Sequence, residues 1–236
     1  MSLREQLNYI FEIRGLLFEG LGISLIIAFV ALIIGFLIGV ILAMIKIAPK
    51  TNILIKLLDK FADLYIAVIR GTPMLVQLLI MYGVILVSFK SYDTNLVVPI
   101  VSFGINSGAY MAEIIRSGIS SIDKGQMEAG RSLGLTWKTT MFSIIIPQAI
   151  KVVIPTIFNE IIILVKETSV VCYIALRVGG KQVRDLLGVA EKLGLAEPGC
   201  YMALIFSVAI MYLIVVLILT FVQKLIERRL SVNDRK

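Results

Sequence analysis

The sequence predicts an all-α, polytopic membrane protein with about five transmembrane helices, and three observations carry that prediction. Hydrophobic residues make up 58% of the 236, well above an average soluble chain, so water is the wrong solvent for most of it. Five runs are long enough to cross about 30 Å of hydrocarbon, which takes roughly 20 mostly apolar residues: about 21–45, 65–89, 96–116, 150–175 and 200–224. Lys and Arg, finally, divide unequally between the two sets of loops. Fourteen fall in one set, from Lys46 and Lys50 through Arg131 and Lys138 to Arg235 and Lys236. Seven fall in the other: Arg4, Arg14, Lys90, Arg177, Lys181, Arg184 and Lys192. Arg70 and Lys166 lie inside runs. The richer set is expected to face the cytoplasm, and an odd number of spans then leaves the N-terminus outside and the C-terminus inside. The net charge of +7 calls for no nucleic acid, because an anionic inner leaflet attracts such loops.

Residues 1–15 set charges among Leu3, Leu7, Ile10 and Phe11, a helical rhythm that would rest one apolar face on the outer surface; a short extension without a role is the other reading. The segment carries acids as well as bases and has no small-residue cleavage site before a polar region, so the first span is read as retained. Within that span Gly35 and Gly39 form a small-xxx-small pair that lets another backbone approach closely. Pro49 and the lysines between 46 and 60 mark a cytoplasmic turn. The second span is interrupted by Arg70-Gly71-Thr72-Pro73. Proline removes a backbone donor, glycine adds freedom, and an arginine within a membrane run has to be solvated or paired. A helix break is expected there, with Arg70 either paired inside the protein or reaching lipid headgroups.

In the third span Ser102, Asn106, Ala109 and Glu113 share one stripe, with Tyr110 nearby, while Gly104 and Gly108 lie on the far side. One face can therefore look into a polar cavity while the other packs. Glu113 and Arg116, three apart, also suit a local ion pair. The loop 118–149 reads as two small helices at a corner. Gln126 to Arg131 suits a surface helix, Gly134 accepts the positive φ of a helix stop, and Thr136 to Thr139 begin a second helix expected to end at Pro147. Such a corner is a passive loop or a socket for a partner.

The fourth span is the most polar: Pro155, Thr156, Asn159, Glu160, Lys166, Glu167, Thr168 and Ser169. An ionisable group near the bilayer centre costs about 2.5–3.5 kcal/mol on insertion scales, so it persists where it faces protein or water. Glu160 lies about 15 Å along the helix from Ile150, close to the midplane. Asn159 and Lys166 share a face and Glu160 and Glu167 the adjoining one, a polar wall for a pathway or a glue between helices. Beyond it, the loop 176–199 suits a short outer helix. The fifth span is uniformly apolar and ends in Lys224, Glu227, Arg228 and Arg229.

Several classes of chemistry are absent. Histidine does not occur, which removes the commonest general base and metal ligand, and no metal set, cofactor motif or catalytic triad stands out. The nearest approach to a phosphate loop, Val178-Gly179-Gly180-Lys181, lacks the spacing and the Ser/Thr, so the chain does not hydrolyse ATP alone. Cys172 and Cys200 fall near the outer ends of two spans, as a disulfide or as two buried thiols. A membrane-embedded enzyme thus has no machinery, and a passive pore has no use for the corner around Glu128. A secondary transporter would call for an internal inverted repeat.

Glu128-Ala129-Gly130 followed by Gly134 and Pro147, with Gly125 ahead of them, resembles the cytoplasmic coupling loop of ATP-binding-cassette (ABC) importer membrane subunits. Three further strings resemble the polar amino acid permeases of that group. They are Arg70-Gly71-Thr72-Pro73 with Leu75 and Gln77; Gly108-Ala109-Tyr110-Met111-Ala112-Glu113 running into Arg116; and Asn159-Glu160 with Leu164, Lys166, Glu167, Thr168 and Ser169. The likeness spans nearly all the chain from the second span onward, and it departs after the fourth span, where related chains usually carry an acid and this one has Arg177, Val178 and two glycines. The resemblance implies a type I ABC importer permease fold, one domain over 16–236, in the cytoplasmic membrane of a prokaryote. It implies separate ATPase subunits that bind ATP and Mg and grip the loop at Gly125, Glu128, Ala129, Gly130 and Gly134, an extracytoplasmic substrate-binding protein, and a second permease copy or close paralogue. For a polar amino acid crossing by alternating access, Glu160 and Lys166 would complement its ammonium and carboxylate. Asn106, Tyr110 and Asn159 are the hydrogen-bonding candidates.

Overall fold

The computed structural model describes residues 2–89, 96–178 and 181–232. Lys90, Arg235 and Lys236 of the charge comparison, and Gly179 and Gly180, lie outside these. The elements run α1 (Leu3–Glu12), α2 (Arg14–Ile47), α3 (Ile53–Arg70), α4 (Met74–Phe89), α5 (Val97–Ser120), α6 (Lys124–Ser132), α7 (Trp137–Thr140), α8 (Ile146–Glu167), the strands β1 (Leu176–Val178) and β2 (Lys181–Val183), α9 (Leu186–Ala196) and α10 (Tyr201–Val232). Among the described residues four unbroken helical stretches are long and apolar enough to span a membrane, and the bent pair Ile53–Arg70 plus Met74–Val84 supplies a fifth.

α1 begins with a capping box, in which the Ser2 side chain accepts from the Glu5 N–H while the Glu5 carboxylate accepts from the Ser2 N–H, pairing two donors that a helix start leaves open. α2 then starts at Arg14 and runs for 34 residues, about 51 Å. It packs most extensively on α5, and the two run parallel. Gly35 abuts Ser107, Gly39 abuts Met111, and in return Gly104 and Gly108 abut Ile34 and Ile38. Between membrane helices the gain comes from van der Waals contact, not from expelling water, so backbones that can touch are what hold the pair. The expected packing roles of Gly35, Gly39, Gly104 and Gly108 are met on a single interface.

The chain between 47 and 64 differs from the expected turn. The turn is confined to 48–52, and α3 starts at Ile53, its N–H array capped by Asn52 Oδ1, which accepts from the Ile55 N–H. The charges that suggested a loop are tied up instead: Lys46 bridges Asp59 at 3.0 Å and Asp63 at 2.6 Å, and Lys50 reaches Asp59 at 2.7 Å. The run 65–89 breaks at Arg70 to Pro73 as expected, and α3 and α4 meet there at 104°.

The fourth span corrects a second expectation. The helix does not end at Pro147 but continues from Trp137 to Tyr173 through one π turn, Met141–Ile145, where the Ile146 N–H donates to the Met141 carbonyl five residues back. Pro147 follows as one of the first residues of α8. A proline lacks a donor and crowds the preceding turn, and the wider π turn opens the hydrogen-bond ladder at that place.

β1 and β2 form a small antiparallel hairpin, Val178 opposite Lys181, which the all-α reading did not include. The expected outer helix is α9, capped by Asp185. Neither Cys172 nor Cys200 is in a disulfide; Cys200 is buried and Cys172 half-buried. The core is graded along the bundle. Ile27, Ala31, Leu78, Phe103 and Leu164 fill its middle, Leu17, Leu186, Cys200 and Leu204 the α9 end, and Leu42, Ala62 and Ala109 the opposite end.

Candidate functional site

Two assemblies of polar residues stand out, a corner at one end of the bundle and a set of side chains along α5 and α8. The corner is built from helix punctuation. Asp123 Oδ1 accepts the Gly125 N–H at 2.7 Å and so caps α6. α6 stops with Gly134 at φ 81°, the Leu135 N–H donating to the Gly130 carbonyl and the Gly134 N–H to that of Arg131, the paired bonds of a Schellman ending. Arg131 locks the turn by donating to the Leu135 carbonyl at 2.7 Å. Thr136 then caps α7, accepting from the Thr139 N–H. Gly130 is buried against Thr140, where a Cβ would come within 2.6 Å of that side chain. Gly125, Glu128, Ala129 and Gly134 all remain exposed. So does Leu133, 80% exposed beside the turn, a residue the sequence reading passed over although a large apolar side chain next to a helix stop on a polar surface was a visible signal.

The helix break is equally built. α3 ends under Arg70, leaving carbonyls that lipid cannot satisfy. The Gly71 N–H donates to Ala67 O, Thr72 Oγ1 to Val68 O at 2.9 Å, and Gln77 Nε2 to Ile69 O at 2.7 Å. Gln77 Nε2 also reaches Thr72 Oγ1 at 2.7 Å, and Gln77 Oε1 accepts from Asn106 Nδ2 of α5 at 2.9 Å. Gln77, which sequence reasoning quoted without a role, is therefore the side chain that closes the corner. Arg70 turns back to the protein, 3.9 Å from Glu113 and over the Tyr110 ring at 5.3 Å. The expected Glu113–Arg116 pair forms with two bonds, 3.1 and 2.8 Å. On the corner a groove of about 270 Å³ is lined by Thr72, Gln77, Ser102 and apolar neighbours.

α8 divides its polar residues between two faces. Val152, Thr156, Asn159, Ile163 and Lys166 are all exposed and follow one another by four, three, four and three, a single open stripe. Glu160 points the other way, 4% exposed, accepting from Ser107 Oγ at 2.8 Å. Asn159 and Glu160 thus do not form one continuous wall. Asn106 is engaged with Gln77, Glu160 with Ser107, and Tyr110 with Arg70, so α5 gathers three neighbours within one turn and a half. Ser107 was the missing partner of Glu160. Among the described residues no cluster of three or more His, Cys, Asp or Glu is placed to hold a metal.

The family described as the binding-protein-dependent transport system inner membrane component matches residues 35–232. This chain belongs to that family. Among permeases it is 37% identical over 216 residues to the arginine transport system permease protein of Bacillus subtilis (strain 168), covering 92% of this chain and 93% of the relative. It is 36% identical over 202 residues to the L-cystine transport system permease protein of the same organism, 84% of this chain and 81% of that one. To a putative glutamine transport system permease protein of Rickettsia typhi it is 34% identical over 219 residues, 91% and 93% of the two. Among solved structures, a chain of an amino acid ABC transporter crystallised with histidines superposes with a TM-score of 0.83 at 36% identity, covering 97% of this chain and 99% of that one. The inward-facing methionine ABC transporter, at 20% identity and a TM-score of 0.76 over 98% and 99%, shares the fold. The type I permease fold, the multi-pass membrane character and the role as a transport subunit expected from the sequence are all met.

Proposed function

We propose that this permease carries a polar amino acid inward across a prokaryotic cytoplasmic membrane by alternating access, paired with a second permease copy or close paralogue. ATPase subunits, which bind ATP and Mg, take hold of the α6–α7 corner, and an extracytoplasmic binding protein delivers substrate at the other end. The single observation that carries this reading is the corner itself. It is rigidly capped from within, yet it presents Glu128, Ala129 and Leu133 to the outside. A passive loop has no need for that combination, and a pore has no use for it. The names of the relatives support an amino acid as cargo. The N-terminus is placed outside by the Lys/Arg distribution, with α1 resting its exposed Leu3, Leu7 and Phe11 on the outer surface ahead of the single domain 16–236.

The substrate would pass along the open stripe of α8, Lys166 meeting a carboxylate and Asn159 a neighbouring donor or acceptor. Glu160, Asn106 and Tyr110 stand behind or beside that surface, Glu160 holding Ser107 and supplying the negative charge that favours an ammonium. Closure of the two ATPases on ATP would draw the paired corners together and open the cavity outward; hydrolysis would reverse it. Ala129→Arg tests the grip, because the position is exposed and the variant is expected to fold. In proteoliposomes the assembled transporter should lose at least tenfold in uptake and in binding-protein-stimulated ATP hydrolysis. Unchanged coupling in a folded variant would overturn the role of the corner.

A further inference from the structure

A cavity of about 420 Å³ lies between the start of α2, β2 and α9, at the end of the bundle opposite the α6–α7 corner, and the transport reading leaves it unused. Its walls are mostly apolar, with Leu16, Ile23 and Ile26 from α2 and Val189 and Leu193 from α9. Its polar lining is Glu19, Gln182, Arg184 and Lys192, two cations against one carboxylate. The Nε of Arg184 is buried with no hydrogen-bond partner, a donor that costs free energy until something accepts from it. Ser24 Oγ of α2 accepts the Leu186 N–H at 3.2 Å, which fixes residue 184 beside this stretch of α2. From there the exposed Ile26, Phe29, Ile33 and Leu37 continue along one face of the helix. That track rises about 16 Å from residue 26 to residue 37, or half of a roughly 30 Å hydrocarbon layer.

We propose that this cavity and track form a binding site for one anionic phospholipid of the outer leaflet. The phosphodiester takes the buried guanidinium N–H of Arg184, with Lys192 beside it. Gln182 and Glu19 meet headgroup hydroxyls, and the acyl chains lie along Ile26, Phe29, Ile33 and Leu37 for the depth of one leaflet. Guanidinium suits a phosphate geometrically, and hydrocarbon suits a track with no polar side chain on it.

The test is lipid retention by the purified, delipidated transporter, read by native mass spectrometry with dioleoylphosphatidylglycerol, dioleoylphosphatidylcholine and glycerol phosphate as probes. The wild type should prefer phosphatidylglycerol to phosphatidylcholine at least tenfold. Arg184→Gln should erase that preference, and Lys181→Gln, a nearby cation outside the cavity lining, should keep it. Gly22→Phe gives a second route, since Gly22 lines the cavity and a Cβ there meets no atom within 4 Å, so the ring has room to enter the cavity with both cations intact; it should exclude the lipid as well. Equal retention of both lipids, or full preference in Arg184→Gln or Gly22→Phe, would overturn the site. Glycerol phosphate bound as tightly as the lipid would reduce it to an anion pocket without a lipid track. Loss of binding-protein stimulation alone, with lipid retention unchanged, would make it a protein docking face.

Discussion

Single side chains in this permease are settled by what they touch, and Asp185 shows it most sharply. It is 1% exposed, and its carboxylate accepts the Leu187 N–H at 3.1 Å at the head of α9. Burial pushes its pKa from the ordinary 3.8 up to about 7, against the pull of backbone donors at Gly188 and Leu187. The folded chain therefore holds this proton more tightly than the unfolded chain. Its stabilising contribution is full below about pH 4, drains as the pH rises, and is gone above about pH 7. Asp185→Asn keeps a capping side chain without the titration, so the melting temperature of the variant should vary less between pH 5 and 8 than that of the wild type. Each kcal/mol amounts to about 2–4 °C for a chain of this size. A wild type whose stability rises over that interval relative to the variant would contradict the assignment. The same dependence on surroundings limited what the sequence could reveal about the site. Periodicity put Asn159 and Glu160 on neighbouring stripes, which was right, but only the position of α5 turns one of those stripes inward to Ser107 and leaves the other open.

At the scale of elements, the long apolar runs and the Gly125 to Gly134 corner were legible because membrane thickness and helix stops act locally. What was not legible depended on partners far along the chain. α3 reads as a loop until Lys46 and Lys50 are seen to absorb Asp59 and Asp63. Pro147 reads as a stop until the π turn before it opens the ladder. The hairpin had a local signal after all, since two glycines between short β-prone segments favour a tight reversal. The 104° break was announced by Arg70 to Pro73, but its angle is held by Gln77, whose amide serves α3 and accepts from α5. Replacing it, as Gln77→Leu, leaves the Ile69 carbonyl and Asn106 without this partner. Buried unpaired groups cost about 1–3 kcal/mol in soluble proteins, while hydrogen bonds between membrane helices average about 0.6 kcal/mol, so a loss of about 1–2 kcal/mol is expected. Thermal unfolding of the purified chain measures it, and an unchanged midpoint would mean that the angle is set by packing alone.

For the molecule as a whole, an open stripe of α8 that faces water during transport, as proposed, should differ from the closed face of that helix in its access to reagents. With Cys172 and Cys200 first replaced by serine, Asn159→Cys in the assembled transporter should react with a membrane-impermeant thiol reagent in at least one nucleotide state. Glu160→Cys, on the closed side, should react at least tenfold more slowly. Equal protection of both would place the stripe against lipid and remove the pathway from this helix. The glycine contacts between α2 and α5 bear on how such states interchange. Because Ser107, Met111, Ile34 and Ile38 each press on a glycine of the facing helix, sliding one helix along the other would force side chains into backbone, so these two parallel helices are expected to turn as one beam, with the corner following directly on the end of α5. A 24-residue arm is about 36 Å long; tilted by roughly 10° it sweeps its far tip through about 6 Å, wider than a helix turn. A nudge of a few ångströms delivered to Ala129 would therefore reach the opposite mouth as a displacement of the same order, with no relay of side-chain rearrangements in between.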